Sequence, residues 1–235
     1  MQDDTRLNDI IRFYKLLDDL ENKVGGTRVL ENCDGRMDWP RRGVYFFYET
    51  GEMRTNSGSD MRVVRIGTHA LKAGGKQKIW DRLRQHKGSQ SNGGGNHRGS
   101  VFRWHVGTAL IKRNKWHDTV RSSWTVRRGL SKKERQKEKD LEVAVSDYIR
   151  KMPFLWLEVD DEPGPNSKRG YIERNAIALL SSFNQRENLV DPPSPNWLGN
   201  WASNPIIAKS GLWNVNHVEE PYDSDFLVGL KTFVN

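Results

Sequence analysis

The sequence predicts an α+β fold: a small, mainly antiparallel central sheet of about three strands, flanked by helices. Three observations carry this expectation. Residues 42–49 (Arg-Gly-Val-Tyr-Phe-Phe-Tyr-Glu) and 61–67 (Met-Arg-Val-Val-Arg-Ile-Gly) are rich in aromatic and β-branched residues, and turn-forming Gly, Asn, Ser and Asp separate them. They read as a hairpin with a long loop. Phe154-Leu155-Trp156-Leu157-Glu158-Val159 is a near-continuous apolar run, expected as a central strand. Apolar residues recur at three- and four-residue steps over 5–24, 76–86, 131–151 and 169–183, the spacing of helices with one buried face.

Taken in order, Leu7, Ile10, Ile11, Tyr14, Leu17, Leu20 and Val24 form the stripe of the first helix, which Gly25-Gly26 ends. Residues 27–42 connect it to the hairpin. In the first strand, alternation puts Tyr45, Phe47 and Glu49 on one face and Phe46 and Tyr48 on the other. The helix over 76–86 anchors through Ile79 and Leu83, and Arg82 and His86 pair at i, i+4 beside that stripe. Residues 87–100 are glycine-rich and carry Lys87, His97 and Arg98. They are expected as a basic flap over substrate, with a passive surface loop as the alternative. Ser100 can cap a helix over 101–112, while the aromatic and β-branched content of that stretch also suits a strand. Residues 112–130 mix basic side chains with Trp116 and Trp124, the composition of a phosphate-tracking surface or of a solvated insertion. Ser131 and Glu134 fit a capping box that opens the helix to 151. The acidic run at 160–162 is expected as a solvated turn. In the helix over 169–183, Glu173, Ile177 and Leu180 share a stripe. A carboxylate drawn to an apolar face needs a compensating cation or hydrogen bond. Asp191-Pro192-Pro193-Ser194-Pro195 breaks the helix pattern, and the remainder is rich in Trp and Asn. The expected organisation is an N-terminal helical extension (1–40), a central domain (41–185) and an irregular C-terminal extension packed on it (186–235).

The 235 residues carry 38 Lys and Arg against 30 Asp and Glu, a net charge of +8. That balance favours polyanionic partners, nucleic acid first, and also serves solubility. No apolar run of membrane-spanning length exists. The acidic, polar start Met1-Gln2-Asp3-Asp4 does not read as a signal peptide. A lone Cys33 excludes an internal disulfide framework and a cysteine-built zinc site. The expected setting is the cytoplasm.

Gly43-Val44-Tyr45, then Arg65-Ile66-Gly67, then Arg82-Leu83-Arg84-Gln85-His86, with Glu173 on a later helix, resembles the GIY-YIG nuclease superfamily over roughly residues 40–185. Arg65 stands where the family usually has tyrosine. Alternation points Tyr48 away from Tyr45 unless a bulge intervenes. The resemblance implies a catalytic set of Tyr45, Arg65, Arg82, His86 and Glu173. It implies one Mg²⁺ held by Glu173, for which Mn²⁺ could substitute, acting as a Lewis acid that stabilises the leaving oxygen. Tyr45 would help activate the attacking water. A phenol ordinarily titrates near ~10, so neighbouring cations must stabilise its phenolate. Arg82 would clamp the scissile phosphate, and His86 would shuttle a proton or orient Tyr45. His69, Lys72, Lys87, His97, Arg98 and Asn184 are expected to contact nucleic acid.

The expected activity is Mg²⁺-dependent DNA cleavage of restriction or host-defence type. A structure-specific repair or recombination nuclease is one alternative, and a non-catalytic nucleic-acid-binding module with this fold is another. RNA stays open as a substrate, and the protein as a monomer or a homodimer.

Overall fold

The spacing of apolar residues makes α1 (Gln2–Val24) amphipathic, with Ile10, Phe13, Tyr14, Leu17 and Leu20 buried. A computed structural model describes residues 2–89, 91, 93–126, 128–183, 185 and 189–235. A two-residue strand, β1 (Arg28–Val29), precedes the hairpin of β2 (Gly43–Met53) and β3 (Met61–Gly67). Helix α2 (Ile79–Lys87) follows, then α3 (Val101–Arg113), whose N-cap Ser100 accepts from the Arg103 N–H. Helices α4 (Asp118–Thr125), α5 (Lys132–Gln136) and α6 (Lys139–Arg150) lead into strand β4 (Pro153–Glu158). Helix α7 (Lys168–Leu180) comes next, and α8 (Pro205–Ser210) and α9 (Phe226–Val234) complete the chain.

The sheet runs β1-β4-β2-β3, every neighbouring pair antiparallel. It has four strands where the sequence predicts about three, because the short edge strand β1 adds to β4. Between β2 and β3 the register slips: Phe47 pairs with Arg65 but Tyr48 with Val63, leaving Val64 as the extra residue of a bulge. The bulge does not bring Tyr48 to Tyr45. Tyr48 packs with Val44, Phe46 and Ile66 on one face, while Tyr45, Phe47 and Val64 pack on the other.

Three segments differ from expectation. The helix over 131–151 is two, α5 and α6, and the break leaves Glu138 buried with its carboxylate on Arg98. Residues 112–130 contain α4, with Val120 and Trp124 buried. Segment 186–235 is not irregular throughout, since α8 and α9 lie in it. Phe226, Leu227, Leu230 and Val234 are the buried face of α9.

Two apolar clusters lie on the two faces of the sheet. The first joins Tyr45, Phe47, Phe154 and Trp156 to α2, α3 and α6, together with Trp197 and Trp213. The second joins Val44, Phe46, Leu155 and Leu157 to α1, α7 and α9. Residues from 1–40, 41–185 and 186–235 contribute to both. The tryptophans of the last segment are therefore core, apart from Trp201, which is exposed. The indole N–H groups of Trp197 and Trp213 donate to Glu49 Oε2 at 3.0 and 3.4 Å, and the Tyr148 hydroxyl donates to Glu49 Oε1. The same segment follows the outer edge of β3: Trp213 N–H donates to Val64 O at 2.7 Å, and the Asn214 side chain bonds both the N–H and C=O of Ile66.

Candidate active site

Two glycines shape the site. Gly43 begins β2 where it pairs with Glu158 of β4, and a Cβ there would overlap the Leu157 carbonyl. Gly67 faces Tyr45 across the hairpin, and a Cβ there would overlap the Tyr45 ring and hydroxyl. The hydroxyl instead reaches His86 Nε2 at 2.9 Å. The other ring nitrogen, Nδ1, lies 2.8 Å from Ser100 Oγ. Burial, then the charges of Arg82, Arg65 and Arg103, hold the His86 imidazole well below its usual range, so the ring is neutral. Ser100 Oγ already accepts from Arg103 N–H at 3.2 Å. One ring nitrogen of the neutral imidazole therefore donates and the other accepts, so that His86 links the Tyr45 hydroxyl to the Ser100 hydroxyl. Tyr45 and His86 are both wholly buried.

Arg65 faces the Tyr45 side of the sheet, because it pairs with Phe47. Its guanidinium lies 5.6 Å from the Phe102 ring centre and donates to Trp213 O at 3.0 Å. Arg82 donates to Gln85 Oε1 at 2.9 Å and to Gly99 O at 3.3 Å. Glu173, half-buried on the first turns of α7, accepts from the Thr68 N–H at 3.1 Å. Burial pushes its carboxyl up, and Arg65, the Thr68 hydrogen bond, His217 and Arg82 pull it back. Arg65 and Arg82 thus act on both His86 and Glu173. The five expected catalytic residues lie around one end of β3.

Glu173 lines a cavity of about 630 Å³ together with Lys72, Lys168, Tyr171, Arg174 and His217. Lys72 is exposed on this wall, as a phosphate contact requires. A larger cavity, about 860 Å³, is lined by Trp80, Arg84, Gln85, Lys87 and Asn96 but by none of the five catalytic candidates.

The structure does not bring the other expected contacts to this cavity. Lys87 is buried, its ammonium donating to the carbonyls of Glu31 and Cys33. His97 is buried, bonded through Nδ1 to Glu142 at 2.8 Å and stacked on Trp124. Arg98 holds Glu138 through two bonds, 2.7 and 2.9 Å. The expected flap is a strap tied to α6, and its charges are satisfied inside the fold. His69 is also buried, and burial with the Arg169 charge pushes its imidazole down to about 4. A neutral ring supplies no charge to a phosphate. Asn184 lies outside the described residues.

Sequence reasoning passes over Thr68, Lys168, Arg174 and His217. Thr68 follows Gly67 directly, and its role rests on a backbone N–H that any residue but proline carries. His217 sits 44 positions beyond Glu173 in a segment with no motif.

A family model of the GIY-YIG domain matches residues 4–235. The chain belongs to the GIY-YIG family. No curated protein and no solved structure matches it. GIY-YIG domains are generally endonucleases that use divalent metals, so membership suggests a nuclease acting on DNA. The match takes in α1 and α9 as well as the motif-bearing hairpin. No described helix is long and apolar enough to cross a membrane.

The donor chemistry of this GIY-YIG site fits a hard, hydrated divalent ion. One carboxylate faces a wet cavity, and no group of three His, Cys, Asp or Glu forms a cage among the described residues. An ion that keeps most of its waters and takes phosphate oxygens needs no more protein than Glu173.

Proposed function

We propose that the chain is a Mg²⁺-dependent DNA endonuclease of restriction or host-defence type, working in the cytoplasm. The observation that carries this reading is the bond from Tyr45 to His86, set beside two arginines that also act on Glu173. Glu173 would hold the ion. When bound, Mg²⁺ supplies Lewis acidity for the charge that builds on the phosphoryl oxygens.

The chain's own residues divide the remaining work. Arg82 leaves its weak contact with Gly99 O and takes the scissile phosphate, whose oxyanions suit its planar fork. Lys72, Lys168 and Arg174 line the cavity and guide the flanking backbone. His86, bonded to the Tyr45 oxygen, orients it, and Tyr45 as the phenolate takes the proton of the attacking water. Since Tyr45 is wholly buried, substrate must shift the groups that cover it before water reaches it.

Glu173→Ala tests the reading. The expected result is loss of divalent-ion-dependent cleavage of a plasmid, with salt-sensitive DNA binding retained. Sequencing the ends made by the wild type separates a restriction enzyme, with repeated ends, from a repair or recombination nuclease, with scattered ones. A second reading, a binding module without turnover, is favoured by Arg65 standing at the tyrosine position, bonded to Trp213 O. Wild type inert with Mg²⁺ and Mn²⁺ on duplex, branched, single-stranded and modified DNA would establish it.

A further inference from the structure

His217 is built into the same cavity by a segment far from the motif. Its backbone has φ 65°, the left-handed region, where a residue other than glycine is uncommon and held by its surroundings. Asp223, six positions on, is fixed to α7 by the Tyr171 hydroxyl, 2.6 Å, and by Asn175 Oδ1, 2.8 Å from the Asp223 N–H. Val218 O, next to the histidine, accepts from the Ser181 hydroxyl at 2.7 Å. The strained residue is thus tied, through the chain that follows it, to the helix that carries Glu173 and to its C-cap Ser181.

The ring is half-exposed, and its Nδ1 lies 2.7 Å from Glu220 Oε1. A carboxylate on one ring nitrogen fixes the imidazole's orientation and leaves the other nitrogen to act. The remaining ionisable groups of the cavity are Lys72, Lys168, Tyr171, Glu173 and Arg174. Glu173 feels the His217 charge, yet no hydrogen bond or ion pair joins the two. The imidazole is near the ion-holding carboxylate without being consumed by it.

We propose that His217 is the general acid of the reaction, donating its Nε2 proton to the oxygen that leaves phosphorus. The proposal rests on the nuclease reading. The oxygen of water attacks phosphorus as its proton passes to the Tyr45 phenolate. The bond from phosphorus to the leaving oxygen breaks, and its electron pair stays on that oxygen. The leaving oxygen takes the His217 proton, giving an alcohol and a neutral imidazole whose Nδ1–H remains on Glu220. Exchange with solvent returns the proton to His217 and removes the one on Tyr45.

The test uses the full chain, a duplex oligonucleotide that the wild type cleaves, and the same duplex with sulfur replacing the departing bridging oxygen. A thiolate leaves without protonation. His217→Asn keeps a side chain that tolerates positive φ. The expected result is a loss of roughly 10²–10³-fold on the oxygen substrate. On the sulfur substrate the variant should stay within about threefold of wild type, as expected when the proton is no longer needed. Any effect of sulfur on the metal is common to both proteins. An equal loss on both substrates would overturn the proposal and leave His217 a positioning or phosphate-binding residue. No loss on either would also overturn it. Unchanged thermal unfolding of His217→Asn separates these results from misfolding. A wild type inert on duplex, branched, single-stranded and modified DNA overturns the nuclease reading and the acid role with it.

Discussion

Gly67 has no side chain because Tyr45 occupies the space where one would stand. Gly67→Ala should therefore displace the tyrosine from His86, lowering cleavage more than it lowers DNA affinity. Overpacking of this kind costs about 1–3 kcal/mol, readable by denaturant unfolding. The buried histidines make a pH prediction. His69 is pushed down to about 4 and His86 well below its usual range, so the unfolded chain binds protons that the folded chain refuses. Their contribution is present above about pH 6.5, the ordinary imidazole value, and is lost as pH falls toward the folded values. The melting temperature should fall steadily from pH 7 to pH 4, and His69→Gln should flatten that fall. Glu173 has the opposite sense. Its carboxyl is pushed up, so the folded chain holds a proton more readily than the unfolded one, and its ionisation costs stability as pH rises through that window. Glu173→Gln should melt higher at neutral pH, by about 0.5–2 kcal/mol if it follows other stabilising changes at functional sites, while losing cleavage. At this scale the motif side chains are legible because their spacing along one hairpin and one helix fixes their convergence. His97 and Arg98 mislead because a glycine-rich segment does not announce their partners, Glu142 and Glu138, some forty residues on, and Lys87 because its carbonyl partners on Glu31 and Cys33 lie far back in the chain.

Element by element, local signals locate what long-range contacts then reshape. The Ser131–Glu134 box sets the start of α5, and the bonds between them confirm it. The break before α6 comes from Glu138 turning inward to Arg98, a tertiary event with no mark in the sequence. Helix α9 escapes the sequence reading although Phe226, Leu227, Leu230 and Val234 carry the right period, because the Trp/Asn-rich stretch before it suggests irregular chain. Helix α5 exposes Lys132, Lys133 and Arg135. Replacing all three with Glu should weaken duplex binding and make it less salt-dependent, the logarithmic slope falling by about 0.9 for each phosphate that is no longer neutralised. An unchanged slope would mean that these charges only face water. The Asn214 side chain stands in for a strand against Ile66. Asn214→Ala strips both groups of their partner and should cost about 1–3 kcal/mol, with faster amide exchange at Ile66.

Across the whole molecule, the sheet is a partition with a core on each face, and neither core closes without the last fifty residues. Trp197, Leu198, Ile207 and Trp213 complete one, and Leu212, Val218, Phe226 and Leu230 complete the other. A chain ending at residue 185 should fail to unfold cooperatively on heating, whereas the full chain should show one transition by both far- and near-ultraviolet circular dichroism. The charge of +8 points to a polyanionic partner, but not to the face that would meet it. The Trp213 N–H and the Asn214 side chain take the outer edge of β3 at Val64 and Ile66. A second copy therefore cannot continue the hydrogen-bond ladder at those two residues. If both strands of a duplex are cut together by two subunits, they must meet somewhere other than that stretch of β3.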